Sequence, residues 1–145
     1  MTTAAPTTAA ATVAEIYAAF GRGDIPYILS QLSPTVEWDT DAGNYAARAG
    51  IPAIQPRRSP DEVAGFFAEI APWTFHKFEV KELLTAGNSV AAVIDLDYSV
   101  PNGGRMAGRE LHLWEFGPDG KVASYQHFLD TARFMAAHEG VDTSA

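Results

Sequence analysis

Apolar residues recur at Val13, Ile16, Tyr17 and Phe20, the i, i+3, i+4, i+7 spacing of one buried helix face. Gly21 and Gly23 end that helix. Asp24 then stands as the N-cap of a second, with Pro26 in a first turn whose N–H groups have no helical partner anyway. This second helix carries Ile28, Leu29 and Leu32 and stops before Pro34. Residues 36–39 read as a short strand, and residues 40–58 as a long irregular stretch with room for another short strand near 45–48. Ser59-Pro60-Asp61-Glu62 is a capping box with proline at the first helical position, and Val63, Phe66, Phe67 and Ile70 give the third helix its apolar face. From there the period changes to two. Strand-like runs cover 75–84, 90–100, 105–116 and 121–129, joined by Gly87-Asn88, Asn102-Gly103-Gly104 and Pro118-Asp119-Gly120. Links this short join antiparallel neighbours. A last helix is expected from Asp130, with Gly140 as its stop. The pattern predicts an α+β fold: a strongly curved antiparallel sheet, cone-shaped, packed against about three N-terminal helices.

Strand alternation sorts the chemistry onto faces. Glu110, His112, Trp114 and Phe116 share one face, which its aromatics pull toward an apolar interior. Tyr125 and His127 share a face of the last strand, and Asp95 and Asp97 share a face of the strand at 90–100. Both of these strands carry apolar residues on both sides, so periodicity alone leaves their orientation open. A buried carboxylate or imidazole has its pKa moved toward neutrality and serves as an acid or base. Asp97 with His127 is the candidate pair, His112 a further donor or acceptor, and Asp39 either a base at the pocket mouth or an ordinary strand end with an Asx-type turn. The plain alternative puts Asp95 and Asp97 on an exposed strand face and has the histidines satisfy backbone groups. Trp38, Tyr45, Trp73, Phe78, Trp114 and Tyr125 are the candidate ligand contacts, with ordinary core packing as the alternative for the aromatics.

Charge and composition narrow the partners. At 145 residues the chain is one domain, expected over 12–140 behind a flexible Thr/Ala-rich tail at 1–11. A net charge of −8 opposes attraction to nucleic-acid phosphates and to anionic membranes, so neither is an expected partner. No apolar run reaches the ~20 residues of a membrane span. Absence of cysteine removes thiolate chemistry and disulfides and fits a cytoplasmic protein. The four histidines, at 76, 112, 127 and 138, form neither an HxH nor an HExxH arrangement, so no metal site is expected.

Several segments carry a family resemblance. They are Ile16-Tyr17-Ala18-Ala19-Phe20-Gly21-Arg22-Gly23-Asp24, Val36-Glu37-Trp38, Ser59-Pro60-Asp61-Glu62-Val63-Ala64-Gly65-Phe66-Phe67, Ala86-Gly87-Asn88-Ser89-Val90 and Phe116-Gly117-Pro118-Asp119-Gly120-Lys121-Val122, followed by Tyr125 and Asp130. In this order they resemble the nuclear transport factor 2-like (NTF2-like) superfamily, and within it the SnoaL-like, ketosteroid-isomerase-like branch. The resemblance implies a cone with a deep pocket between sheet and helices, and a homodimer. Members include isomerases, polyketide cyclases, epoxide hydrolases, dehydratases and non-catalytic binders, so the fold leaves the reaction open. Ketosteroid isomerases place their base directly after the Val-Glu pair. Here Trp38 stands there and Asp39 follows, and on an extended strand one residue reverses the face. Epoxide hydrolases of the superfamily use Arg-x-Asp on a middle strand and Asp on the last; Asp97 matches, while Asp95 and His127 replace the other two. SnoaL-type cyclases use an aspartate with a nearby histidine, chemistry that Asp97, His112 and His127 can supply. The expected function is a cofactor-free acid/base enzyme, of isomerase, cyclase or lyase type, acting on a small hydrophobic oxygenated ring. The alternatives are a non-catalytic binder of a small apolar metabolite and a dimeric interaction scaffold.

Overall fold

The computed structural model describes residues 8–40 and 43–144. Helix α1 (Ala9–Gly21) opens on Thr8, whose hydroxyl oxygen accepts from Ala11 N at 3.1 Å. Residues 9–11, expected in the tail, are therefore helical. Alanine is the strongest helix former, and Thr8 supplies the cap. Helix α2 (Ile25–Ser30) is capped by Asp24, which accepts from Tyr27 N at 3.1 Å. The chain then enters strand β1 (Leu32–Trp38) at once, so Leu32 belongs to the sheet and not to the helix. Pro34 is tolerated there because β1 is an edge strand.

Where a short strand was expected at 45–48, Asn44 caps a one-turn helix instead, α3 (Tyr45–Arg48), accepting from Ala47 N at 3.1 Å. A 3₁₀ turn (Pro52–Ile54) follows. Helix α4 (Pro60–Ile70) starts as its sequence predicts. Ser59 Oγ accepts from Glu62 N at 3.1 Å, and the Glu62 carboxylate reaches back to Arg58 N, one residue before the usual partner.

Strands β2 (Thr74–Ala86), β3 (Ser89–Ser99), β4 (Arg105–Phe116) and β5 (Val122–Phe128) form the expected meander, and β1 joins it parallel to β5, giving the order β1-β5-β4-β3-β2. Alternation in β3 is complete: Val90, Ala92, Ile94, Leu96 and Tyr98 are buried beneath the helices. Asp95 and Asp97 consequently face away from the core. The other edge, β2, slips register twice, between Phe75 and Lys77 and between Val80 and Glu82. The first extra residue lets Phe75 and Phe78, three apart, both reach the interior.

Helix α5 (Thr131–His138) is capped by Asp130 and packs Phe134 into the core. Beyond it Val141 accepts from Arg105 N, and Thr143 N donates to Arg105 O at 2.7 Å. The folded domain thus runs past residue 140, because β4 outreaches β5 at this end and its free edge takes the C-terminal segment. Among the described residues no helix is long and apolar enough to cross a membrane.

Candidate active site

Between the sheet and helices α1 and α4 lies a cavity of about 80 Å³. Its walls are largely aromatic, and its polar groups come from α1, β4 and β5. Strand register assembles the polar side. His112 of β4 and His127 of β5 are direct cross-strand partners, as are Trp114 and Tyr125. The two imidazoles lie 5.9 Å apart, centroid to centroid.

Asp39 completes the His127 end. Val36 and Trp38 face inward from β1, so an extended Asp39 would face outward. Instead Asp39 has φ of +52°, a left-handed conformation that aspartate tolerates better than most residues. This turn brings its carboxylate back inside, where it is only 5% exposed. One oxygen accepts from His127 N at 3.0 Å, and the other contacts His127 Nδ1 at 2.8 Å. The carboxylate can only accept, so Nδ1 carries a proton and Nε2 is the basic nitrogen. His127 Nε2 makes no hydrogen bond among the described residues, and the side chain lines the cavity. Burial alone would pull this imidazole down. The Asp39 charge and hydrogen bond, with help from Glu110, outweigh burial and raise its pKa above 6.5.

The second half of the site is a hydrogen-bonded chain. Trp114 Nε1 donates to Tyr17 Oη at 3.0 Å, Tyr17 Oη is 2.6 Å from His112 Nδ1, and His112 Nε2 is 3.2 Å from Glu110. Burial raises the Tyr17 pKa far above 10, so its phenol stays protonated and donates to Nδ1. Burial lowers the His112 pKa, against the opposing pull of Glu110. One direction gives every link a donor and an acceptor: indole to phenol, phenol to Nδ1, Nε2–H to one oxygen of the Glu110 carboxylate. Tyr125, stacked on Trp38 at 3.9 Å, has its pKa raised by burial first and then by Asp39. Its hydroxyl is therefore a neutral donor, and it makes no hydrogen bond among the described residues.

Of the residues singled out in the sequence, Trp38, Trp73, Phe78, Trp114, Tyr125, His112 and His127 line the cavity, and Asp39 supports it through His127. Asp97 does not. It lies on the outer face, held by Arg105 in a two-pronged ion pair of 2.9 and 2.8 Å, and its pKa is lowered by that guanidinium. The expected Asp97–His127 pair is thus replaced by Asp39–His127. Tyr45 is 66% exposed at the start of α3 and lies outside the cavity wall, because the helical turn directs Ala46 inward in its place. The sequence reading treated Tyr17 as part of an apolar stripe and left Glu110 unassigned. The signal for Glu110 was its place on one strand face with His112 and Trp114; Tyr17 had none, since its partners lie 95 and 97 residues away. Among the described residues no group of three or more His, Asp or Glu side chains is placed to hold a metal ion.

Comparison with known proteins places this geometry. Residues 13–125 match the family model described as the SnoaL-like domain. No curated protein matches the sequence. A nuclear transport factor 2-like protein of Burkholderia thailandensis is 27% identical, with 90% of this chain and 97% of that one covered and a TM-score of 0.76. TerC, crystallised with polyporic acid, is 20% identical over 90% and 98% of the two chains, with a TM-score of 0.74. The Δ5-3-ketosteroid isomerase of a Mycobacterium species is 14% identical over 88% and 97%, with a TM-score of 0.67. At those identities the last two share the fold alone with this chain.

Proposed function

This chain belongs to the SnoaL-like domain family, and from that membership and the chemistry of the cavity we propose that it is an acid/base enzyme that moves a proton on a small hydrophobic, oxygenated ring. The observation that carries the reading is the buried Asp39–His127 pair, which leaves Nε2 as a base beside an apolar cavity. In this reading Nε2 takes a proton from a carbon next to a ring carbonyl. The bonding pair of that C–H moves toward the carbonyl oxygen, which accepts a hydrogen bond from the Tyr125 hydroxyl. The imidazolium, held by the Asp39 carboxylate, then returns the proton to another position. An apolar enclosure strengthens each of these interactions. Isomerisation uses both transfers; cyclisation or elimination would use the first and then diverge.

The reading is tested by deuterium exchange into 2-tetralone and 3-cyclohexenone, followed by proton NMR. The wild-type protein is expected to accelerate exchange, and His127→Ala to lose about 10²-fold or more of that acceleration while remaining folded. Undiminished exchange in the variant overturns the role of His127.

A non-catalytic binder is the second reading. It is favoured by the hydrogen-bonded chain from Trp114 through Tyr17 and His112 to one Glu110 oxygen, which ties up the indole, the phenol and the His112 imidazole. Tight binding of the same ketones with no exchange would select it. We also propose a homodimer that covers the outer sheet face at Leu111 and Phe128, cross-strand neighbours that are 39% and 49% exposed.

A further inference from the structure

Glu110 makes no contact with the transferred proton in the reading above, yet it is among the few polar or charged residues buried in the protein, at 6% exposure. It lines the same cavity. One carboxylate oxygen receives Nε2–H of His112 at 3.2 Å, and the other makes no hydrogen bond among the described residues. That oxygen is open to the cavity and is not sealed off, so a ligand that fills the cavity must bring a donor to it or leave it unsatisfied, which is costly. Among the described residues no lysine or arginine lines the cavity to supply that donor. Tyr17, Phe78 and Trp114 also line the cavity, and aromatic side chains can pack against a neutral ring or a cationic group.

We propose that Glu110 recognises a hydrogen-bond donor on the ligand, a hydroxyl or an ammonium, at the end of the ring away from the group facing His127. The distance along β4 sets the ligand's size. His112 is the cross-strand partner of His127, and Glu110 lies two residues further along the same face. Two residues of strand span about 7 Å, a separation that a single ring with polar groups at opposite ends bridges. The inference concerns binding and holds whether or not His127 moves a proton.

The test compares three monocyclic ketones that differ at one position, measured by calorimetry on the full chain: 4-hydroxycyclohexanone, 4-(aminomethyl)cyclohexanone and 4-methoxycyclohexanone. The methyl ether keeps the oxygen and removes the donor. Wild-type protein is expected to bind the hydroxyl or the ammonium compound about tenfold more tightly than the ether, and the stronger of the two identifies which donor the site takes. Glu110→Gln supplies the second arm. Its amide oxygen can keep the bond to His112, which turns the NH₂ toward the ligand. The hydroxyl and ether oxygens can both accept from it, so the hydroxyl compound should lose its advantage, and the ammonium compound, which can only donate, should fall below the ether. Equal affinities in the wild-type protein, binding of neither donor compound, or an undiminished advantage of the donor compounds in a folded Glu110→Gln variant would each overturn the proposal. If that variant does not fold, the wild-type ranking alone decides. Loss of exchange chemistry with the ranking intact would refute the proton-transfer reading and leave this one standing.

Discussion

At the scale of the residue, the chemistry turns on Asp39. Its left-handed backbone converts a side chain that strand alternation would send outward into the buried partner of His127. Asp39→Asn keeps the shape and removes the charge that opposes burial. The imidazole pKa should fall, and the acid limb of the pH–rate profile should move to lower pH with it. A limb that stays in place would show that Asp39 does not tune the base. The two histidines also predict a stability profile. His127 has its pKa raised above 6.5, so between 6.5 and that higher value the folded state holds more protons, and stability declines as pH rises. His112 has its pKa lowered below 6.5, so between that lower value and 6.5 the unfolded state holds more protons, and stability grows as pH rises. Together they place their maximum near pH 6.5. Urea midpoints measured from pH 5 to 8 check this: Asp39→Asn should flatten the alkaline limb and leave the acid limb, and the reverse result would contradict the assignment.

At the scale of the element, the helix on the far side depends on a single close approach. Gly104, in the turn between β3 and β4, lies so near α5 that an added Cβ would sit 1.6 Å from Ala137 O. Asn102 ties the same turn to α5, donating to His138 O at 2.7 Å. Gly104→Ala must therefore push α5 outward, and with it Phe134, which lines the cavity. A loss of about 3 kcal/mol in chemical denaturation is expected, with weaker ligand binding in whatever protein remains folded. Loss of the Ser59 cap is a milder change. Ser59→Ala should cost about 1 kcal/mol and leave binding alone, because α4 keeps its apolar face.

For the molecule as a whole, the sheet separates two surfaces with different physics. The inner face holds the cavity. The outer face holds the cross-strand pairs Asp95–Arg109 and Asp97–Arg105, which are solvent-screened and contribute little to stability. Asp97→Asn should leave exchange activity unchanged and barely move the denaturation midpoint; a large activity loss would return Asp97 to the site. The same face carries Leu111 and Phe128. If it is the dimer surface, Leu111→Ser with Phe128→Ser should shift sedimentation from dimer to monomer, and an unchanged distribution would place any interface elsewhere.

Local order alone made the elements legible. Periodicity located α1, α4 and the meander, and turn chemistry joined its strands, because a stripe spaced at 3.6 or 2 leaves few ways to bury itself. Alternation also grouped Glu110 with His112 and Trp114, and Tyr125 with His127. Those groupings held, since the pleat preserves them in any register. What remained open was which face pointed inward where both were apolar, as in β3 and β5. That was decided by the partners across the sheet and beneath it, and it sent Asp97 out and His127 in. The 45–48 segment became helical through Asn44, whose capping role appears only once the loop has a direction. The Asp39–His127 pair spans 88 residues and depends on one positive φ, and the Tyr17–His112 contact spans 95. Periodicity records neighbours along the chain, whereas these contacts follow from strand register and from how α1 lies over the sheet. The sequence by itself therefore determined the elements and the stock of acids, bases and aromatics; only the tertiary structure decided which of them meet.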